Sequence, residues 1–221
     1  MTGWVLVVAF FAILVPPALA ADPVEQQGTV DKALVTFRNF MGDKEMEWFQ
    51  KNLKDAKALL IVPNLLKAGF VLGGSGGSGV LVARDAKTGN WSQPAFYTAA
   101  SVTFGLQIGG ESAEVIMMIR TQKAMDALFT TDFKLGGDAS VAAGPVGKGS
   151  KANVTADVVS FAKSKGLFAG LNLEGSVIKV SDNSNQAYYG KAVSPLDIIV
   201  KNAASNPGSA SLRDELKKAV K

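Results

Sequence analysis

Lys67-Ala-Gly-Phe-Val-Leu-Gly-Gly-Ser-Gly-Gly-Ser-Gly-Val-Leu-Val82 is the stretch on which the reading of this chain turns. Gly69, Gly73, Gly74, Gly76, Gly77 and Gly79 fall within it, and apolar residues bound it on both sides. A flexible glycine linker is polar throughout. This one reads as a tightly turned backbone element with strands or short helices packed on either side. Gly74, Gly76 and Gly79 match a G-x-G-x-x-G spacing, but a dinucleotide site needs a helix directly after the glycines and an acidic residue some way on. Here Val80-Leu81-Val82-Ala83 runs into Arg84-Asp85 and Lys87-Thr88-Gly89-Asn90, which is a strand entering a turn. No Gly-Lys-Ser/Thr closes a phosphate cradle. The glycines therefore read as structural, serving a turn or the close approach of neighbouring strands.

Toward the N-terminus the period is helical. Thr29 can cap a helix with Asp31 in its first turn and Val30, Leu34, Phe37 and Met41 on one side. Gly42-Asp43 interrupts it. A second helix from Glu45 carries Met46, Phe49, Leu53, Ala56 and Leu60 as an apolar stripe, and Pro63 ends or kinks it.

Beyond the glycines the period becomes two. Val102, Phe104, Leu106 and Ile108 alternate with Ser101, Thr103, Gly105 and Gln107, a strand pattern, and Gly109-Gly110 permits a reversal into Glu114–Ile119. Thr121 caps a short helix through Phe129. Phe133–Ala143 reads as a strand broken at Gly136-Gly137. Val154–Phe161 and Leu167–Leu173 pair around Lys163-Ser164-Lys165-Gly166, and Val177–Val180 adds a short strand. Helices follow at Asn183–Tyr189, after Ser194, and over Ser209–Lys221. The order predicts an α+β fold: a largely antiparallel β-sheet or barrel-like core, N-terminal amphipathic helices and short peripheral helices.

Residues 1–20 read as a secretory signal. Trp4–Val15 is apolar, Pro16-Pro17 breaks the run, and Ala18-Leu19-Ala20 supplies a cleavage box. The alternative, an uncleaved anchor, has an apolar stretch short for a bilayer span. Residues 21–221 then form one domain, placed in a periplasmic or secreted setting, with no disulfides to help it because cysteine is absent. Histidine is absent too, so the chain has no histidine to relay protons, no cysteine nucleophile and no His/Cys zinc site. Paired carboxylates or Ser-Lys chemistry remain open by composition. Asp132 and Asp138 flank a turn, where aspartates serve as turn formers. The expectation is a protein with no catalytic residues, no metal and no cofactor. Lys and Arg number 23 against 19 Asp and Glu, a net charge of +4. This mild basicity, with only Arg38, Arg84, Arg120 and Arg213 spread along the chain, argues against a nucleic-acid partner.

An ordered set of motifs resembles the SYLF domain, a lipid-binding module also described as an actin-binding domain in yeast cortical-patch proteins. The set comprises Ala56-Lys57-Ala58-Leu59-Leu60-Ile61-Val62-Pro63, Lys67-Ala68-Gly69-Phe70 with the glycines to Leu81, Trp91, and Phe104–Gly110. It continues through Gly137–Ala142 and Ser164–Gly170, so the likeness covers residues 56–174. Secreted bacterial members share the layout of a signal peptide followed by this domain alone. The resemblance implies lipid binding through basic residues and an amphipathic N-terminal segment, and brings no catalytic chemistry. Exported, such a domain would meet anionic phospholipid or another envelope amphiphile.

The segment before Pro63 carries the sharpest site expectation. Lys44, Lys51, Lys54 and Lys57 lie beside the apolar stripe, with Trp48 and Phe49 placed to anchor at an interface. A cationic face next to an apolar one attracts anionic headgroups. The bland alternative is the solvated face of an ordinary helix, diluted by Glu45, Glu47 and Asp55, with Phe49 at a natural core position. Lys148 with Lys151, and Lys163 with Lys165, admit the same two readings. The partners expected are an anionic lipid or membrane surface, with an envelope-scaffolding role on another protein as the alternative.

Overall fold

The computed structural model describes residues 21–69, 72–104, 109–130, 132–150, 152–171 and 173–220. The signal-peptide reading of 1–20 and the expected strand positions Leu106 and Ile108 lie outside the described residues. The fold is α+β, with helices leading into an antiparallel sheet.

Helix α1 (Pro23–Gly42) begins where the Asp22 carboxylate accepts a hydrogen bond from the Val24 N–H, with Pro23 in its first turn. Proline fixes a helical φ and lacks an amide that would be orphaned there. Thr29, the expected cap, lies inside this helix, and its hydroxyl donates to the Glu25 carbonyl. Val30, Ala33, Phe37 and Phe40 are buried on one face. The helix stops at Gly42, where the sequence places the break.

The expected second helix is shorter than its apolar stripe. A 3-10 turn (Lys44–Met46), α2 (Glu47–Asn52) and a second 3-10 turn (Leu53–Asp55) bury Met46, Phe49 and Leu53, and then the chain becomes extended. Strand β1 (Ala58–Gly69) takes the residues expected to finish the helix. Leu59 and Ile61 face one buried layer while Leu60 and Val62 face another. A strand covered on both faces shows no polar alternation, so its apolar run mimics helix.

Among the described residues, nine strands form one sheet. They are β1, β2 (Leu72–Ala83), β3 (Ala95–Phe104), β4 (Gly109–Ile119), β5 (Asp132–Lys134), β6 (Val141–Ala143), β7 (Val158–Ser164), β8 (Leu167–Gly170) and β9 (Val177–Val180). The order is β5-β9-β3-β2-β1-β4-β7-β6, with β8 also on β7, and every pairing is antiparallel except β6 on β7. Gly109 and Gly110 are paired residues of β4, opposite Gly69 and Ala68, so they do not themselves form the expected reversal. The sheet curls into a half-barrel. Its interior holds Leu60, Val62, Leu81, Tyr97, Val115, Met117 and Phe133. That interior is closed by α3 (Gln122–Leu128), capped by Thr121 as expected, and by α5 (Pro195–Ile199), whose Ser194 and Asp197 form a capping box. The other face packs on α1, α2, α4 (Asp182–Tyr189) and α6 (Ala210–Ala219) through Phe37, Phe40, Phe49, Tyr188, Leu212 and Leu216.

Pro63 sits in the middle of this sheet rather than at a helix end. The register of β1 shifts by one residue against β4 between Val62 and Leu65, and against β2 between Ile61 and Leu66. An interior strand accepts a residue without an amide hydrogen only at such a bulge. The glycines of β2 face it. A Cβ on Gly77 would stand 2.4 Å from the Asn64 carbonyl, and one on Gly79 2.4 Å from that of Ile61. Neither glycine has a positive φ, nor do Gly74 and Gly76. The expected tight turn is therefore an extended strand, and the alternative, close strand packing, is the observed role.

Replacing Gly77 or Gly79 by alanine should destabilise the domain by about 1–3 kcal/mol or more, because backbone rather than a mobile side chain must yield. Gly76→Ala, whose Cβ meets its nearest neighbour at 3.9 Å, should be neutral or slightly stabilising. Urea denaturation midpoints of the three variants provide the check.

Candidate functional site

The segment 43–57 is anchored from beneath. Phe49 is fully buried, with its ring edge-on to Phe37, Phe40 and Phe161. Trp48 is buried, donates its indole N–H to the Ala152 carbonyl at 2.9 Å and has the Arg120 guanidinium 6.0 Å from its ring centre. Neither ring is placed to enter a membrane interface, which corrects the anchoring expectation. They are the core residues that hold this segment on the sheet.

The four lysines point outward, but not to one place. Lys44 and Lys51 are exposed, and Lys51 is ion-paired with Glu47 one turn earlier. Glu47 also accepts from the Gly149 N–H, and its carboxyl is held below the ordinary range, chiefly by the Lys51 hydrogen bond. Lys57 is off the helix altogether, in the link to β1, where its amide donates to Ile119 and its carbonyl accepts from Arg84. Lys54 and Lys57 line a common cleft.

That cleft, about 780 Å³, lies at the end of the sheet where β1 begins and β2 ends. Lys54, Lys57, Arg84 and Arg213 supply its cations, while Met125, Phe129, Ile199 and Val200 supply an apolar wall. Val200 is 57% exposed. The two arginines are fixed by the backbone: Arg84 Nη1 donates to the Lys54 carbonyl at 2.6 Å, and Arg213 Nε to the Trp91 carbonyl at 2.9 Å. Arg84 and Trp91 also form an isolated antiparallel bridge. Two carboxylates share the lining, Asp55 and Asp85. Asp85 is turned onto its own loop, accepting from the amides of Lys87 and Thr88 and the Thr88 hydroxyl. The Thr88 amide, first among these donors, holds its carboxyl below the ordinary range. The ion pairs among the described residues use none of the four cleft cations.

Arg84 and Arg213 are the cleft residues that sequence reasoning does not single out. They are far apart in the chain and follow no motif; the only trace was that arginine is scarce. The glycines Gly69, Gly73, Gly74, Gly76, Gly77 and Gly79 belong to β1 and β2 and do not line the cleft. In the other lysine pairs, Lys165 is exposed in the β7–β8 turn. Lys163 lies over the Phe168 ring and 3.9 Å from Glu114, and Lys151 lies outside the described residues. Asp132 pairs with Lys179, and Asp138 accepts from the Lys134 amide in its own turn. No described helix is long and apolar enough to cross a membrane.

A family model described as Ysc84, Las17-binding protein actin regulator, matches residues 100–219. The chain is 41% identical over 146 residues to LAS seventeen-binding protein 3 of Saccharomyces cerevisiae, covering 62% of this chain and 31% of the relative. Protein YSC84 of the same yeast is 40% identical over 146 residues, covering 62% of this chain and 31% of the relative. The human SH3 domain-containing YSC84-like protein 1 is 36% identical over 149 residues, covering 65% of this chain and 43% of the relative. The chain thus spans less than half the length of these curated relatives. No solved structure matches it.

Phe49→Ala should cost about 3–5 kcal/mol of stability, the loss expected for a buried ring. Lys44→Gln and Lys51→Gln should stay within about 0.5 kcal/mol. Thermal or denaturant unfolding separates this arrangement from one in which Phe49 is an exposed anchor, where its removal would change stability little.

Proposed function

The chain belongs to the Ysc84 family, that of the SYLF domain, and on that premise we propose that it is a non-catalytic binding domain that docks on surfaces rich in anionic phospholipid. The observation that carries this reading is the convergence of Lys54, Lys57, Arg84 and Arg213, unpaired with carboxylates among the described residues, beside the apolar Phe129, Ile199 and Val200. Cations beside exposed apolar side chains gain from headgroup charge and from the apolar boundary below it. The residues are contributed by separate elements, so the folded domain presents them as a surface rather than along one helix. Reading residues 1–20 as an export signal places that surface against envelope lipids.

A second reading, a protein-interaction module, draws on the yeast relatives, which are named for binding Las17. The same cleft would then accept an acidic segment of a partner.

Co-sedimentation of the full chain with phosphatidylcholine vesicles, with and without phosphatidylglycerol, distinguishes the two. Binding should be selective for the anionic vesicles and should weaken as salt rises. Lys54→Gln with Lys57→Gln should lower affinity about tenfold to thirtyfold, taking about 1 kcal/mol for each lysine near the surface. Lys44→Gln with Lys51→Gln should have a smaller effect, because Lys51 already has a partner. Undiminished binding by a folded Lys54/Lys57 variant would remove the cleft from the account. Absence of binding to every composition would leave the protein-interaction reading in its place.

A further inference from the structure

Diffuse attraction to a charged surface needs mobile cations, and Lys54 and Lys57 suit that. Arg84 and Arg213 are different. Each guanidinium is held by a backbone carbonyl on the cleft wall, Arg84 through Nη1 and Arg213 through Nε. Each retains further N–H donors in a planar fork that matches the oxygens of one phosphate. Neither has a carboxylate partner among the described residues, and Asp85 spends its oxygens on its own turn.

The same wall is short of acceptors. Four buried side-chain polar atoms among the described residues lack a hydrogen-bond partner, and two of them, Arg84 Nε and the Trp91 indole N–H, belong to residues lining this cleft. Trp91 is 2% exposed. Buried donors without acceptors are rare and costly, and point to a group that completes them. Beside these donors the wall turns apolar at Met125, Phe129, Ile199 and Val200. A volume of about 780 Å³ accommodates a headgroup with the first part of a chain, not a diffuse layer of lipid.

We propose that the cleft is a discrete site for one amphiphile with a net-anionic phosphate headgroup, its phosphate between Arg84 and Arg213 and its apolar part along Phe129, Ile199 and Val200. This inference rests on the lipid-surface reading and narrows it to a stoichiometric headgroup site. Phosphate could equally arrive free in solution, and the apolar wall is what favours the amphiphile.

The test titrates the full chain with three soluble probes below their micellar concentrations: dihexanoyl phosphatidic acid, dihexanoyl phosphatidylcholine and inorganic phosphate. Calorimetry gives stoichiometry and affinity, and the Trp91 indole N–H resonance reports on the cleft. Phosphatidic acid should bind one per chain and shift that resonance. Phosphatidylcholine and inorganic phosphate should each bind at least about tenfold more weakly. Arg213→Gln should weaken phosphatidic acid at least about tenfold, the loss of one charge-assisted contact, and Arg213→Lys should recover only part of it. Arg84→Gln frees the Lys54 carbonyl and Arg213→Gln that of Trp91, so the folding of either variant is checked by the unchanged dispersion of the remaining spectrum, and Arg213→Lys, which keeps the charge, separates loss of the fork from loss of the fold. Equal binding of inorganic phosphate would overturn the amphiphile assignment, and equal binding of phosphatidylcholine, whose phosphodiester is balanced by its choline cation, the requirement for a net-anionic headgroup. Anionic vesicle binding without any saturable soluble binding would overturn the discrete site and leave the surface reading standing. Loss of vesicle binding as well would remove both.

Discussion

The bulge at Pro63 and the bare backbone of β2 opposite it form the constraint on which the sheet depends. One extra residue in β1 brings the carbonyls of Ile61 and Asn64 to positions that a Cβ on Gly79 or Gly77 would occupy. Only glycine leaves that space open without moving a backbone. Bulges bend a strand and increase its local twist, and here the bulged strand is a central one, flanked by β2 and β4. The core is divided into an inner layer and a helix-covered layer because both faces of this sheet are covered.

Register then carries the constraint to the site. Below the bulge, Ala58 pairs with both Ala83 and Ile119, so Lys57 and Arg84 emerge side by side at the sheet end, joined by the Arg84 N–H to Lys57 carbonyl bond. The helical layer brings the remaining cations. Phe49 and Leu53 seat the segment carrying Lys54, and Leu212 and Leu216 seat α6, which carries Arg213. Core packing thus places side chains that have no direct contact with the core.

Local chemistry was legible in the sequence wherever it is decided by neighbouring residues. Thr121 and Ser194 cap helices as expected, and Lys165-Gly166, both with positive φ, turn the β7–β8 hairpin. The Asp22-Pro23 start was equally local but was passed over for Thr29. What failed was inference from periodicity. Ala58–Val62 is buried on both faces, so the two-residue alternation that marks a half-exposed strand is missing, and the helical stripe seemed to continue through it. Trp48 and Phe49 admit both a core and an interfacial reading in the sequence, and their burial decides for the core. Lys54 and Lys57 both line the cleft. Arg84 and Arg213 were out of reach, since only the packing of α6 against the sheet end joins them.

The central claim is that this end of the sheet is the face that meets the membrane. Hydrogen–deuterium exchange of the full chain, free and on phosphatidylglycerol-containing vesicles, tests it most directly. The account predicts new protection confined to residues 53–57, 84–92, 125–129 and 199–202, around the cleft. The opposite sheet end carries the exposed Leu66 and Leu167. Protection centred there, with the cleft segments unchanged, would contradict the account and place the membrane at the far end of the fold.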